Sequence, residues 1–593
     1  MSERDEHEEL YGLTGLGRSL ERTLATVVPT AEPLPPVELT LPPKPEFGDV
    51  STPVALAAAR LARRNPRELA AELGERWCAG PGAGICERYE VAGPGFLNLF
   101  LSDAWYLRAT RRMLSLGDDH GRGVLPVESR RKVNVEFVSV NPTGPLHVGH
   151  ARYASMGDAL CRLFAFAGHD VTREFYVNDF GSQMTKFGQS LTARYAQRLG
   201  IEMPVPDDGY LGEYLLEVAD RLIAEVGERY REAVTDAAPD VGRVPGGVVD
   251  AVKLWGRDEI LGRFRLTLER LRVPFDVWTS EASLYDGGPA HRGFAGEVGK
   301  ALAELDEDGE LFDADGAVWL RTTDYGDDKD RVLIRQTGAP TYFLSDIAYH
   351  RDKMDRGFEH LIDIWGADHH GYVPRMKASF TALPPHDPDR LELIIGQLVN
   401  LLESGETRRM SKRRGDIVTV DDLIDAIGVD AVRFFMVGRS HDSTLDLDLD
   451  LAVEQSSKNP VYYVQYAHAR ICSVLRNVAA GRGSAGGALA DETAALVAPA
   501  FGEVAVGPYE RDLVRTLARF PLVVLEAVER RGPHRVHAYL GELAAEFHVF
   551  YRNCRVLTDD PEVAAFRTGL CVAARTTLAK GLELLGVSAP QSM

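Results

Sequence analysis

Two histidines at the start of one predicted helix are the residues whose spacing most directly indicates chemistry. His147 and His150 stand on either side of Val148-Gly149, and the helical run after them ends at Gly168. A helix N-terminus offers unpaired N–H donors and a positive dipole end, which favour phosphate. Side chains three residues apart share a face, so both imidazoles could donate to phosphoryl oxygens as negative charge develops. Gly149 has no side chain, which leaves room for a flat base, although two ordinary polar residues at a helix start would look the same.

The segments around these histidines predict a nucleotide-binding fold. An apolar, β-branched run predicts a buried strand over 133–140, and Asn141-Pro142-Thr143-Gly144-Pro145 interrupts it. A second strand is predicted over 171–177, so two strands flank one helix as in a parallel βαβ unit of a doubly wound sheet. The first βα turn has no G-x-G-x-x-G and the chain has no G-x-x-x-x-G-K-[ST], which disfavours dinucleotide oxidoreductases and P-loop enzymes.

Length and pattern predict several domains in this chain of 593 residues. Residues 1–115 have the pattern of a small α/β domain, and residues 116–455 that of the doubly wound, Rossmann-like domain. Helical periodicity over 185–274 indicates an insertion between the two halves of that domain, with strands returning at 318–321, 332–335 and 360–364. Residues 456–593 are predicted to be all α-helical, so the fold class is α/β with a helical C-terminal domain.

Composition narrows the class of protein. The formal net charge of −21 argues against a protein coated in positive charge but allows a local basic face. No apolar run is long enough for a membrane span, and the charged N-terminus does not look like a signal peptide. The six cysteines are scattered without a C-x-x-C pair, so we expect neither a disulfide framework nor a cysteine zinc site, and a cytoplasmic location.

Three further patches have alternative interpretations. The loop over 403–417 contains five basic residues and could close over a polyphosphate, or be an ordinary surface loop. Arg60 and Arg64 belong to a basic cluster that could contact a nucleic-acid backbone or be a solvated helix end. Aromatics beside cations suit unpaired bases, although core tyrosines are common; the residues in this third patch are Tyr463, Tyr466 and Arg470. The Asp368-His369-His370 run lacks further ligands at standard spacing, so no metal site is expected.

The combination of His-x-Gly-His with Met410-Ser411-Lys412 is the signature pair of class I aminoacyl-tRNA synthetases. The chain resembles the arginyl-tRNA synthetase family from end to end. The long segments that carry this resemblance are 47–49 with 65–67, 141–150, 176–181, 278–285, 342–353, 365–372, 429–439 with 442–450, and 459–470. The resemblance implies that residues 1–115 are an N-terminal tRNA-contacting domain and residues 456–593 an anticodon-binding domain.

The resemblance also implies roles for individual residues. His147, His150 and Lys412 would be the catalytic groups, with Lys412 holding the pyrophosphate. The ATP site would comprise these three with Gly149, Arg409, Met410 and Ser411. Arginine would be bound at its α-amino end by Glu136 and Asn141, and at its guanidinium end by Tyr342 and Asp346 and, less directly, Glu281 and Asp368. A planar guanidinium with five donors suits paired carboxylates. Contacts with tRNA would involve Arg60, Arg64, Tyr463, Tyr466 and Arg470.

Three positions depart from the family pattern. Arg409 replaces the first lysine of the loop motif and Arg413 its final serine. Arginine at 409 keeps the charge but not the reach of lysine. Many members carry a lysine at the position of Gly144, and its absence fits a chain that retains Lys412.

The activity that the resemblance implies is ligation of L-arginine to its tRNA through an arginyl-adenylate, with ATP and Mg²⁺, and with tRNA needed even for the first step. We expect a monomer that does not associate with membranes. Two alternatives stay open at this point. One is a tRNA-binding paralogue with altered or no aminoacylation, and the other is a small-molecule adenylyltransferase. The intact His147, His150 and Lys412 argue against the first, and the helical C-terminal third argues against the second.

Overall fold

The computed structural model describes residues 10–42, 44–407, 418–481 and 501–593. Contacts divide the chain into two compact units, one made of Met1–Leu125 with Gln455–Met593 and the other of Pro126–Glu454. The sequence-based domain boundaries at 115 and 455 stay predictions, because a division by contacts does not say which parts fold alone.

The N-terminal part is a three-stranded antiparallel sheet packed against helices. Its strands are β1 (Val50–Thr52), β2 (Cys86–Ala92) and β3 (Phe96–Leu101), in the order β1-β3-β2. Its helices are α1 (Leu13–Val27), α2 (Val54–Ala62), α3 (Pro66–Ala79) and α4 (Asp103–Leu116). The Asn65 side chain accepts a hydrogen bond from the Arg67 amide, and Pro66 fills the first helical position, so these two residues fix the start of α3.

Cysteine pairing differs from the expectation drawn from the sequence. Cys78 near the end of α3 and Cys86 at the start of β2 form a disulfide. Their separation of eight residues gives no pairing signal, but the turn between helix and strand brings their Cα atoms to 5.4 Å. The other four cysteines are buried thiols.

The second unit contains a five-stranded parallel sheet, in the order β11-β10-β4-β5-β6. The strands are β4 (Lys132–Glu136), β5 (Asp170–Val177), β6 (Val277–Ser280), β10 (His360–Gly366) and β11 (Leu391–Gly396). Strand β4 ends earlier than predicted because Val138 and Ser139 have positive φ angles, outside the β region. Between β4 and β5 lies α5 (Val148–Ala167), which ends at Gly168 in the left-handed conformation as predicted.

The predicted helical insertion is confirmed. It consists of α6 (Ser182–Arg198), α7 (Tyr214–Val226), α8 (Arg231–Ala237) and α9 (Gly246–Arg270). In α7, Leu215, Val218 and Leu222 are buried at helical spacing.

Two of the three strands predicted after this insertion join a different sheet. Strands β7 (Leu311–Ala314), β8 (Ala317–Leu320) and β9 (Arg331–Ile334) form a separate antiparallel sheet, and only β10 belongs to the parallel one. The apolar pattern identifies a strand but does not specify its partners.

The remaining elements of this unit complete the layers around the sheets. The helices are α10 (Gly296–Glu307), α11 (Tyr342–Asp355), α12 (Val373–Ala382), α13 (Val420–Ile427), α14 (Val429–Met436) and α15 (Leu449–Val453). The strands β12 (Val399–Glu403), β13 (Glu406–Thr407) and β14 (Leu445–Asp448) form a third sheet. One core cluster includes Leu302 of α10, Leu333 of β9 and Ile347 of α11.

The described C-terminal residues are helical, as predicted. The helices are α16 (Pro460–Gly481), α17 (Pro508–Ala518), α18 (Phe520–Glu529), α19 (His534–Asn553) and α20 (Pro561–Leu584). They belong to one unit with the N-terminal part, where Arg511 Nη2 lies 2.6 Å from Asp103 Oδ1. Asp49 joins the same contact region, accepting hydrogen bonds from the Tyr106 hydroxyl and the Leu101 amide. No helix in the described ranges is long and apolar enough to cross a bilayer.

Candidate active site

The two predicted catalytic histidines form one stacked pair at the start of α5. Their ring centroids are 3.7 Å apart. His147 Nδ1 accepts a hydrogen bond from the Gly149 amide, and His150 Nδ1 accepts one from the His147 amide. Because an accepting Nδ1 carries no proton, the N–H of each neutral ring lies on Nε2. The backbone thus sets the tautomer in which each imidazole is an Nε2 donor.

Gly149 leaves room for the close approach of the His147 ring. A Cβ placed there would lie 3.1 Å from the His147 ring, closer than most real contacts of a Cβ atom. The glycine therefore allows the His147 ring to fold over the first turn of α5.

The chain that directly follows the predicted phosphate-binding loop is hydrogen-bonded to the segment around this histidine pair. The Val148 amide donates to the Val418 carbonyl at 3.1 Å, and the Val420 amide donates to the Leu146 carbonyl at 2.9 Å. Thr419, between them, caps α13 with its side chain. Arg409, Met410, Ser411 and Lys412 lie outside the described residues. The described residues resume at Val418, and the next residue, Thr419, forms an antiparallel β-bridge with His147.

Two carboxylates interact where Glu281 follows β6 and Asp346 lies in α11. Glu281 follows β6 and is only 2% exposed, and Asp346 is half-buried on α11. Burial, followed by the nearby Asp346 carboxylate, raises the pKa of Glu281 to about 7. Burial also raises the pKa of Asp346, although a hydrogen bond from the Tyr372 hydroxyl opposes the change. Among the described residues, no lysine or arginine forms an ion pair with either carboxylate.

Tyr176 at the end of β5 interacts electrostatically with these carboxylates, and it was not predicted as a site residue although segment 176–181 carries the family resemblance. Its hydroxyl is buried and has no hydrogen-bond partner in the described part of the chain. Burial raises its pKa well above the ordinary value, and the carboxylates of Glu281, Asp346 and Glu136 raise it further. The hydroxyl therefore lies in the combined field of three carboxylates. Its position at the carboxyl end of a parallel strand, where such sheets bind ligands, is the signal that could have identified it.

Tyrosine and serine hydroxyls surround the paired carboxylates. The Tyr372 hydroxyl donates to Asp346 Oδ2 at 2.5 Å, and the Tyr285 and Ser345 hydroxyls lie 2.8 Å apart. These groups were also not predicted as site residues. They can hold the carboxylates in place, but as neutral groups they do not balance the negative charge.

The residues predicted for the α-amino end have partners inside the protein. Glu136 Oε2 accepts a hydrogen bond from Lys353 Nζ at 2.6 Å, and the side chain is 7% exposed. Asn141 is half-buried, and its amide donates to the Asn178 carbonyl at 2.9 Å. Sequence reasoning did not anticipate the Lys353 partner, which lies 217 residues away in the chain.

Tyr342 and Asp368 lie at more open positions. Tyr342 is 49% exposed at the start of α11, one turn before Asp346, and its hydroxyl is 3.4 Å from Ser182 Oγ. The Asp368 side chain is 84% exposed, and its charge acts on Tyr153 of α5. Within the described residues no contact joins Asp368 to the Glu281–Asp346 pair.

Comparison with known proteins places the chain in a family. A model described as "tRNA synthetases class I (R), catalytic domain" matches residues 118–436, more than half of the chain. An arginine–tRNA ligase from Syntrophotalea carbinolica is 46% identical, over 94% of this chain and 95% of its own length. The chain belongs to the arginyl-tRNA synthetase family. One from Bacillus subtilis is 43% identical with the same coverage of the two chains.

The other arginyl-tRNA synthetase comparisons extend over the rest of the molecule. The Arginyl tRNA synthetase N terminal domain model matches residues 16–101, and the DALR anticodon binding domain model matches residues 464–593. A Campylobacter jejuni structure described as an arginyl t-RNA synthetase has a TM-score of 0.71 at 32% identity, over 83% of this chain and all of its own. The fold of the Thermus thermophilus arginyl-tRNA synthetase also matches, with a TM-score of 0.72 at 24% identity, over 98% of this chain and all of its own.

The DALR-matched helices present the aromatic and basic patch predicted from the sequence. Arg470 of α16 lies over the Tyr466 ring at 5.3 Å and over the Tyr551 ring of α19 at 5.2 Å. Both tyrosines are 37% exposed. Tyr463 of the same helix packs 5.3 Å from the His548 ring. These partly exposed rings could stack on unpaired bases.

The two arginines predicted to contact tRNA from the N-terminal part differ in their surroundings. Arg60 is exposed near the end of α2. Arg64 Nη2 lies 2.7 Å from Glu72 Oε2, so an acidic partner already compensates its charge. The structure therefore favours Arg60 over Arg64 as a group available to a phosphate.

Proposed function

We propose that the protein ligates L-arginine to the 3′ end of its tRNA in two steps, with the magnesium complex of ATP as co-substrate. A carboxylate oxygen of arginine attacks the α-phosphorus, the bond to the bridging oxygen breaks, and pyrophosphate leaves. The terminal ribose hydroxyl of tRNA then attacks the activated carbonyl carbon and releases AMP. The observation that carries this proposal is the Glu281–Asp346 pair, which has no lysine or arginine partner among the described residues.

We propose that arginine is recognised through the attraction between its guanidinium and the two carboxylates. Burial raises the pKa of Glu281, and repulsion by the Asp346 carboxylate raises it further. A guanidinium with five donors can bridge both carboxylates at once, which turns the repulsion into attraction. The proposed guanidinium ligands are Asp346, Glu281 and Tyr342, with Tyr176 and Tyr372 added from the structure. Glu136 and Asn141 remain the proposed ligands of the α-amino end.

Activation depends on stabilising charge at the phosphates. The Nε2 donors of His147 and His150 are held by backbone hydrogen bonds before ATP arrives, so little reorganisation is needed as charge develops. We propose that Lys412 holds the pyrophosphate together with Arg409, Met410 and Ser411. The loop that carries these residues comes just before Thr419, which forms a β-bridge with His147. Among the proposed ligands of the arginine guanidinium, Asp368 has the least support because its side chain is largely exposed.

The tRNA is proposed to contact both parts of the unit made of the N-terminal and C-terminal segments. Tyr463, Tyr466 and Arg470 would read the anticodon bases, and Arg60 and Arg64 would contact the backbone. We propose that the enzyme acts as a monomer in the cytoplasm, where protein synthesis takes place.

Arginine-dependent ATP–pyrophosphate exchange, measured with and without tRNA, tests this function. We expect exchange only with arginine among the amino acids, and only when tRNA is present. Exchange with another small molecule and no tRNA requirement would indicate an adenylyltransferase. Tight tRNA binding without exchange or charging would indicate a non-catalytic paralogue.

His150→Ala tests the phosphate end of the same proposal. We expect the exchange rate to fall by about a hundredfold or more, corresponding to about 3 kcal/mol of transition-state stabilisation. His169→Ala is a matched control, because His169 follows the opposite end of α5. A loss below about threefold for His150→Ala, or equal losses for both variants, would contradict the assignment.

A further inference from the structure

A row of buried acids crosses the parallel sheet, and one of them, Glu136, is a proposed ligand of arginine. Asp363 of β10 is in register with Glu136 of β4, and Glu136 is in register with Glu174 of β5. All three side chains are almost completely buried. Three carboxylates on adjacent strands are unfavourable unless cations neutralise them.

Helix α11 supplies those cations at intervals of three residues. His350 Nε2 lies 2.7 Å from Asp363 Oδ2. Lys353 Nζ lies 2.9 Å from Asp363 Oδ1 and 2.6 Å from Glu136 Oε2, and the lysine side chain is completely buried. Arg356, which ends the helix, donates both Nη groups to the two oxygens of Glu174 at 2.9 Å.

The pKa shifts of these side chains are those expected for ion pairs between α11 and the sheet. Burial lowers the pKa of Lys353, but the Asp363 and Glu136 carboxylates raise it above its ordinary value. Lys353 and His350 hold the pKa of Asp363 well below its ordinary range, against the effect of burial. Burial raises the pKa of Glu136, and the charge of Lys353, which is in contact with both carboxylates, opposes that rise.

The pairs are matched in order along the helix and across the sheet. Three residues of helix rise about 4.5 Å, close to the strand spacing of about 4.8 Å. A shift of α11 by one residue would therefore break all three pairings together. Because Tyr342 and Asp346 stand on the same helix, the pairings also fix where these proposed guanidinium ligands lie relative to Glu136 on β4.

We infer that Lys353 is a positioning residue that sets the length of the arginine site, and through it the selectivity for the number of methylenes in the substrate. The inference rests on the proposed function, in which Glu136 and Asp346 hold opposite ends of arginine. One residue of helical rise, about 1.5 Å, is comparable with the length that one methylene adds to the side chain. A firm spacing between the ends therefore separates arginine from its longer and shorter homologues.

The test compares arginine with homoarginine, which has one more methylene, and with 2-amino-4-guanidinobutyrate, which has one fewer. Each is measured as kcat/KM in ATP–pyrophosphate exchange with saturating ATP and tRNA. In the unchanged protein, one methylene should alter kcat/KM by about tenfold or more. Lys353→Met should reduce that discrimination by at least about fivefold and raise the KM for arginine, with the KM for ATP within about twofold.

A matched control is available on the same helix. Arg351 is also nearly buried, but its guanidinium pairs with Glu304 and Glu297 of α10 instead of the sheet. Arg351→Met should therefore lower the unfolding temperature while leaving the ratio of kcat/KM between arginine and homoarginine within about twofold of the unchanged protein.

Lys353→Arg provides a second variant in case Lys353→Met does not fold. It keeps the cation but places a larger, planar group between Glu136 and Asp363, so α11 must move and the discrimination should again fall. Discrimination unchanged in Lys353→Arg, or reduced equally by Arg351→Met, would overturn the inference. If the unchanged protein activates no arginine, the proposed function fails first and the inference fails with it.

Discussion

Two groups of carboxylates with little or partial exposure lie in the same unit, and they differ in whether a cation of the protein pairs with them. The acid row of Asp363, Glu136 and Glu174 has its cations built into α11. The pair of Glu281 and Asp346 has no lysine or arginine partner among the described residues, and its pKa values are raised. A fold does not retain buried like charges for stability, since they oppose folding. The first group is therefore neutralised within the fold, and we propose that the guanidinium of arginine neutralises the second.

The largest expected effect breaks the internally paired group. Lys353→Met leaves Asp363 and Glu136 buried without their shared cation, and should cost about 3–5 kcal/mol of unfolding free energy. Denaturant unfolding measures this loss. Lys300→Met, which removes an exposed lysine paired with Glu297, should change the unfolding free energy by less than about 0.5 kcal/mol. Equal losses would remove the distinction between the buried row and a surface ion pair.

Asp346→Asn tests the Glu281–Asp346 pair, which is proposed to bind the guanidinium of arginine. The neutral amide loses the charge that attracts a guanidinium and adds donors of its own, so kcat/KM for arginine should fall by about a hundredfold or more, or about 3 kcal/mol. The KM for ATP should stay within about twofold in the same exchange assay. Asp355→Asn, an exposed position at the other end of α11, serves as the control. Similar damage to the use of arginine and of ATP would indicate a structural role for Asp346.

Glu281→Gln should have the opposite sign on stability from Lys353→Met. The pKa of Glu281 is about 7 in the folded protein against 4.5 ordinarily, so the unfolded chain ionises first as the pH rises. Stability is unaffected by this group below pH 4.5, decreases between pH 4.5 and 7, and is reduced by up to about 3 kcal/mol above pH 7. The variant should therefore gain stability at pH 8 and almost none at pH 4.5. An equal gain at both pH values would exclude ionisation of Glu281 as the cause.

The pH dependence of arginine use gives the smallest of these effects. Only ionised Glu281 attracts the guanidinium, so with a pKa of about 7 the kcat/KM for arginine should rise about tenfold between pH 6 and pH 8. Glu281→Gln should flatten this profile, and kcat/KM for ATP in the unchanged protein provides the internal reference. A slope that persists in Glu281→Gln would assign the titration to another group.

The sequence alone determined the features that depend on neighbours in the chain. The histidine pair at the start of α5 and the glycine that ends this helix were predicted, because caps and chain-breaking residues act over a few positions. The insertion helices α6 to α9 were predicted because a buried face repeats along one helix. The resemblance also identified Asp346 and Glu281 as carboxylates suited to a guanidinium.

Only the tertiary structure decided which charged groups have partners. The sequence does not distinguish Glu136, which pairs with Lys353, from Glu281, which has no lysine or arginine partner in the described ranges, because Lys353 lies 217 residues from Glu136. The disulfide between Cys78 and Cys86 and the separate sheet of β8 and β9 also depend on contacts between distant segments. The same holds for the Tyr176 hydroxyl, which has no hydrogen-bond partner among the residues that the structure describes. Burial and pairing are properties of the assembled core, where distant segments meet, and they determine which buried charges remain for a substrate to neutralise.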